Sequence, residues 1–142
     1  MVAETINTLK QSFLNEPFCN TATDGDIFDV DLNKVTIFPL THVMCTGFQD
    51  LGSTVAISFS VLCMDIIDET KTPITNKNNI WNTQSELILR ILGSIRRGSL
   101  SENNWELQDA SASTLFTERF ENNLAGVEQS FTVVVPNTMT IC

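Results

Sequence analysis

Few residues in this chain have the type and spacing that chemistry needs. There is one histidine, His42, set in the apolar run Leu-Thr-His-Val-Met. No acid or nucleophile stands at a spacing that marks it as a catalytic partner, so it is expected to be a hydrogen-bonded structural histidine. No Gly-x-Ser-x-Gly elbow supports a nucleophilic serine. Glu118 and Glu121 are the one pair that resembles an acid and a base. Residues three apart on a strand point to opposite faces, which separates them. The four cysteines, Cys19, Cys45, Cys63 and Cys142, contain no Cys-x-x-Cys pair, the spacing of many zinc and redox sites. They are expected to be reduced, partly buried thiols. Asp24, Asp26, Asp29 and Asp31 are the densest acidic group and invite a cation. Their segment lacks the ligand spacing and terminal Glu of a calcium loop, so it is read as a solvated hairpin face. The six glycines form neither a phosphate loop nor a dinucleotide fingerprint. The expectation is a protein that is not an enzyme and uses no metal or cofactor.

Two groups of charge fit contacts better than catalysis. Arg96 and Arg97 stand side by side ahead of Gly98. They either complement the negative end of a helix or form bidentate pairs with carboxylates of another subunit. Arg119 lies between Glu118 and Glu121, either on a solvated strand face or on an edge that pairs across subunits.

The elements that must position these residues follow from periodicity. Val2, Ile6, Leu9 and Phe13 recur at helical spacing up to Pro17, with Glu4 and Lys10 placed to suit the helix dipole. Residues 18–32 read as extended, broken at 23–26, with Ile27 to Leu32 alternating between wet and dry faces. Residues 35–45 are β-rich, and Pro39 places an edge or a bulge there. A connection over 47–53 leads to the cleanest strand, in which Val55, Ile57, Phe59, Val61 and Cys63 share one face. Leu62 and Met64 make the far end of that strand apolar on both faces.

A long loop over 65–79 is expected next. A helix capped by Asn79 then carries a broad stripe that includes Ile80, Leu87, Ile88, Ile91 and Ile95. Extended segments follow at 105–107 and 115–120, then a turn at 122–126 and a last strand closed by Pro136. Without βαβ alternation, the fold class is α+β: a largely antiparallel sheet with two helices on one face, in the order α-β-β-β-α-β-β.

The chain has 142 residues, which suits one domain. It holds 17 Asp and Glu against 8 Lys and Arg, a net charge of −9. Such a surface repels nucleic acid over most of its area and argues against a DNA-coating role. Residues 2–14 are amphipathic and lack the continuous apolar core of a secretory signal. No apolar run approaches the roughly 20 residues of a membrane span.

Several phrases together are more specific than any of these patterns. DLNKVTIFPLTHVM, SVLCMDIID, WNTQSELILRILGSIRRGSL, FTERFENNLAGVEQSFTVVVPN and the closing MTIC resemble a family of small structural proteins of tailed bacteriophages. The family occurs in phages of Bacteroidetes hosts, crAss-like phages among them. The similarity spans residues 20–142, and FTERFENNLAG followed by a strand and VPN is its most specific part. The family more often has Trp where this chain has Val127. The element order is similar to that of tail-terminator and neck proteins.

What the resemblance implies is a homo-oligomeric ring in the virion, at the neck or tail, assembled in the host cytoplasm. DNA passes through it without specific binding, other neck or tail proteins bind above and below, and no membrane is involved. Ring subunits meet head-to-tail through dissimilar patches. Arg96, Arg97, Glu118, Arg119 and Glu121 are the interface candidates. Met139 and Ile141 join them, because an apolar C-terminal segment calls for cover from its own sheet or from the next subunit. Asp24, Asp26, Asp29 and Asp31 are candidates for an acidic lumen. The alternative is a monomeric assembly adaptor or chaperone.

Overall fold

The computed structural model describes residues 2–25, 38–66, 73–97, 105–117 and 124–136. The elements are α1 (Val2–Leu14), β1 (Thr21–Asp24), β2 (Leu40–Asp50), β3 (Thr54–Ile66), α2 (Pro73–Arg96), β4 (Glu106–Ala110), β5 (Thr114–Thr117) and β6 (Leu124–Pro136). The class is α+β as expected, with one more strand after α2. The sheet runs β1-β2-β3-β6-β4, with β5 also paired to β6. Every pairing is antiparallel except β1 with β2, which is parallel.

The centre of the sheet is β3 and β6, paired without a break from Thr54↔Pro136 to Ile66↔Leu124. Alternation then decides the core. Val55, Ile57, Phe59, Val61 and Cys63 of β3 and Val127, Phe131, Val133 and Val135 of β6 share one buried face. Both helices cover that face, α1 through Leu9 and Phe13, α2 through Leu87, Ile88, Ile91, Leu92 and Ile95. Phe59 and Phe131 stand opposite each other, ring centroids 5.7 Å apart and tilted by 35°. At the far end of β3 the opposite face is also dry. Leu62 and Met64 cluster there with Phe38, Leu40 and Leu124, as their sequence predicts.

Several boundaries differ from the sequence reading. Helix α2 starts at Pro73 and not at an Asn79 cap; proline fits the first helical turn because its missing N–H has no partner to lose there. The expected connection over 47–53 is mostly strand. Once β3 extends to Thr54, β2 pairs with it as far as Asp50↔Val55, and only a tight turn remains. Gly52 makes that turn at φ +95°, a region glycine enters without steric penalty.

Pro39 lies just before β2, after a cis peptide bond. Its carbonyl accepts the N–H groups of Asn20 and Thr21 at 2.8 and 3.2 Å. The irregularity of β2 falls instead between Cys45 and Gly47. Strand β4 continues through Asp109 and Ala110, beyond the extended segment expected at 105–107. The expected turn at 122–126 is corrected at its end: Leu124, Ala125 and Gly126 are already in β6, opposite Ile66, Asp65 and Met64. Gly126 serves close packing, because a Cβ there would collide with the carbonyl of Cys63. Lys10 is not in the last turn of α1. It reaches across to β1, where Nζ lies 2.7 Å from Asp24 Oδ1.

Candidate functional site

His42 is wholly buried on β2. Its Nε2 lies 2.8 Å from the carbonyl oxygen of Gly25 and its Nδ1 lies 2.7 Å from Thr23 Oγ1. A carbonyl only accepts, so Nε2 carries the proton, and in the neutral ring the Thr23 hydroxyl donates to Nδ1. Both ring nitrogens thus tie β1 and the residue after it to β2. This is the structural histidine that the apolar run predicts.

The thiols divide by burial. Cys45 is exposed, while Cys19 and Cys63 are buried, and none of the three is in a disulfide. Thr41 Oγ1 donates to Cys63 Sγ at 3.7 Å, and Cys19 Sγ donates to the Thr21 carbonyl at 3.4 Å. Burial pushes the Cys63 thiol far above its ordinary range and raises that of Cys19, with Thr41 opposing both shifts. Among the described residues, no three His, Cys, Asp or Glu side chains are grouped to hold a metal ion. No described helix is long and apolar enough to cross a membrane.

Of the acidic group, Asp24 is paired with Lys10, so its charge is locally balanced. Asp26, Asp29 and Asp31 lie outside the described residues, as do Glu118, Arg119, Glu121, Met139, Ile141, Gly98 and Cys142. Arg96 and Arg97, at the end of α2, are exposed. Neither has a carboxylate partner among the described residues. Arg90, nearly two turns earlier, reaches Glu16 at 3.3 Å. Arg97 folds along its own helix, and its Nη1 lies 3.3 Å from where a Cβ on Gly93 would sit.

The sheet face away from the helices is polar over its central part. Ser58 and Thr132 are hydrogen-bonded across β3 and β6 at 3.2 Å, and Ser60 donates to Glu128 at 3.4 Å. Thr46, Ser58, Ser111, Ser130 and Thr132 line a shallow cleft of about 230 Å³ there. It presents hydroxyls without a nucleophile–base pair, and suits polar contact more than catalysis.

Two exposed apolar side chains went unnoticed in the sequence. Phe48 is 69% exposed and Leu51 43% exposed, both at the end of the β2–β3 hairpin. Reading 47–53 as a connection hid them. The signal was the length of β3, which obliges its partner to continue. Leu89, on the outer side of α2, is 63% exposed. Compared with models of known protein families and with curated proteins, the chain matches none.

Proposed function

We propose that the chain is a non-enzymatic virion protein, a ring subunit at the neck or tail of a tailed bacteriophage. As a tail terminator or head–tail connector it joins tail tube and head around the DNA channel. The observation that carries this reading is the sequence run FTERFENNLAG, a strand and VPN, with its resemblance to small phage structural proteins.

Physical features support it. A closed ring needs two dissimilar patches on each copy. Arg96 and Arg97 form an exposed cationic spot on a chain of net charge −9, and carboxylates of a neighbouring copy are their natural complement. An acidic excess also lets DNA slide through a channel without sticking. The partners are further copies of the chain and the neck or tail proteins above and below.

Sedimentation and class-averaged micrographs of the isolated protein test the reading, with closed rings as the expected result. Reversing both Arg96 and Arg97 to Glu is expected to abolish rings while the far-ultraviolet circular dichroism of the monomer stays unchanged. A protein that remains monomeric at high concentration and is absent from purified virions overturns the proposal in favour of an assembly adaptor.

A further inference from the structure

We propose that the tip of the β2–β3 hairpin is a prong that docks on α2 of an adjacent copy, with Phe48 stacking on the Arg97 guanidinium that lies over Gly93. The proposal rests on the ring reading above and names the surfaces that make its contact. The prong is well defined. Phe48 is paired opposite Ile57 on the helix-bearing side of the sheet, yet no described helix covers it. Asp50 and Leu51 complete the tip. The tip is also rigid: Leu51 N–H donates to the Thr54 carbonyl at 2.9 Å, and Gly52 N–H donates to Asp50 Oδ1 at 2.8 Å. A preformed prong loses little conformational entropy on docking. An exposed aromatic side chain on such a tip matches the anchors that dominate protein interfaces.

The receiving surface lies along α2. Leu89, Gly93 and Arg96 follow at spacings of four and three, which places them in one stripe. Gly93 has no side chain, and the Arg97 guanidinium lies against the space a Cβ would fill, its Nη1 3.3 Å from that point. A phenyl ring stacked on the outer face of this guanidinium meets Leu89 on one side and makes a favourable cation–π arrangement.

Charge selects the occupant. The stripe carries Arg96 and Arg97, neither paired with a carboxylate among the described residues, whereas Asp50 is the charged residue beside Phe48 and Leu51. The two patches are complementary in sign and differ from each other, as a head-to-tail contact between copies requires.

The test places the photocrosslinker benzoylphenylalanine at position 48, in a mixture of isotopically labelled and unlabelled full-length chains. Crosslinked peptides and sedimentation are then measured on the same sample. Crosslinks from position 48 to residues 86–97 of a different copy are the expected result. Phe48→Ala and Gly93→Leu, which displaces the Arg97 guanidinium and raises helix propensity, are each expected to weaken self-association by roughly tenfold or more. Rings whose position 48 crosslinks elsewhere, or only within its own copy, overturn the docking but leave the ring reading standing. Rings unaffected by either substitution do the same. A wild-type chain that sediments as a monomer at every concentration removes both.

Discussion

The side-chain nitrogen of Gln129 lies 2.6 Å from the carbonyl oxygen of Ser111 and 2.8 Å from that of Ser130, and its amide oxygen accepts the hydroxyl of Ser113. This one buried amide spans residues 111–113, where β4 ends and β5 has not begun. Both strands pair with the same edge of β6, so Gln129 closes the gap between them.

Replacing Gln129 by Ala removes both donated bonds and leaves a hole at the gap. A loss of about 1–3 kcal/mol is expected, measured by urea unfolding as a lower midpoint at unchanged slope. Gln129→Glu is expected to be worse at neutral pH, because a carboxylate has no N–H to offer the two carbonyls. A change below about 0.5 kcal/mol for Gln129→Ala, the range of inconsequential surface substitutions, shows that the gap closes without this side chain.

Gly126 leaves no room for a side chain. A Cβ there would meet the carbonyl of Cys63, with Met64 Cα at 2.8 Å and Phe116 Cζ at 2.9 Å. The first two obstacles are backbone of the central strand and cannot rotate away. Gly126→Ala is expected to destabilise by about 1–3 kcal/mol through overpacking. An unchanged melting temperature contradicts this packing.

The thiols are expected to react in order of exposure. With Cys142 replaced by Ser, a thiol reagent at neutral pH should modify Cys45 rapidly. Cys19 and Cys63 should react only on unfolding, because the thiolate is the nucleophile and burial disfavours it at both sites. Mass spectrometry of the native protein after brief labelling checks this, and modification of Cys63 at the rate of Cys45 refutes it.

Asp65 has its carboxyl pushed above the ordinary value by burial, against a hydrogen bond donated by the Ile66 N–H at 2.8 Å. The folded state therefore holds this proton to higher pH than the unfolded chain does. Its contribution to stability falls as pH rises from 3.8 through the folded pKa, and the penalty is complete above it. Asp65→Asn keeps the acceptor and removes the charge. It is expected to stabilise the protein at pH 7, with the gain shrinking as pH falls towards 4. A gain that grows on acidification reverses the sign and refutes the assignment.

Much of the fold was legible because the pattern carrying it is local. The alternation of Val55, Ile57, Phe59, Val61 and Cys63 marks one face of a strand wherever that strand sits, and the Leu87 to Ile95 stripe marks one face of a helix. His42 was legible as structural from the apolar residues around it. The candidate surfaces were less so. Phe48 falls in a stretch that reads as a connection, and its place on an exposed hairpin tip appears only once β2 pairs with β3 as far as Asp50.

By itself, the sequence determined the class of fold, the inward faces of the central strand and the long helix, and an acidic surface with a cationic spot at Arg96 and Arg97. These depend on residues close in the chain, or on totals. Tertiary structure alone decided that β1 runs parallel to β2, that Gly126 is a packing contact and not a turn, and that Gln129 closes a gap between two strands. Each of these depends on which distant backbone lies alongside, and pairing across tens of residues leaves no periodic trace in either partner.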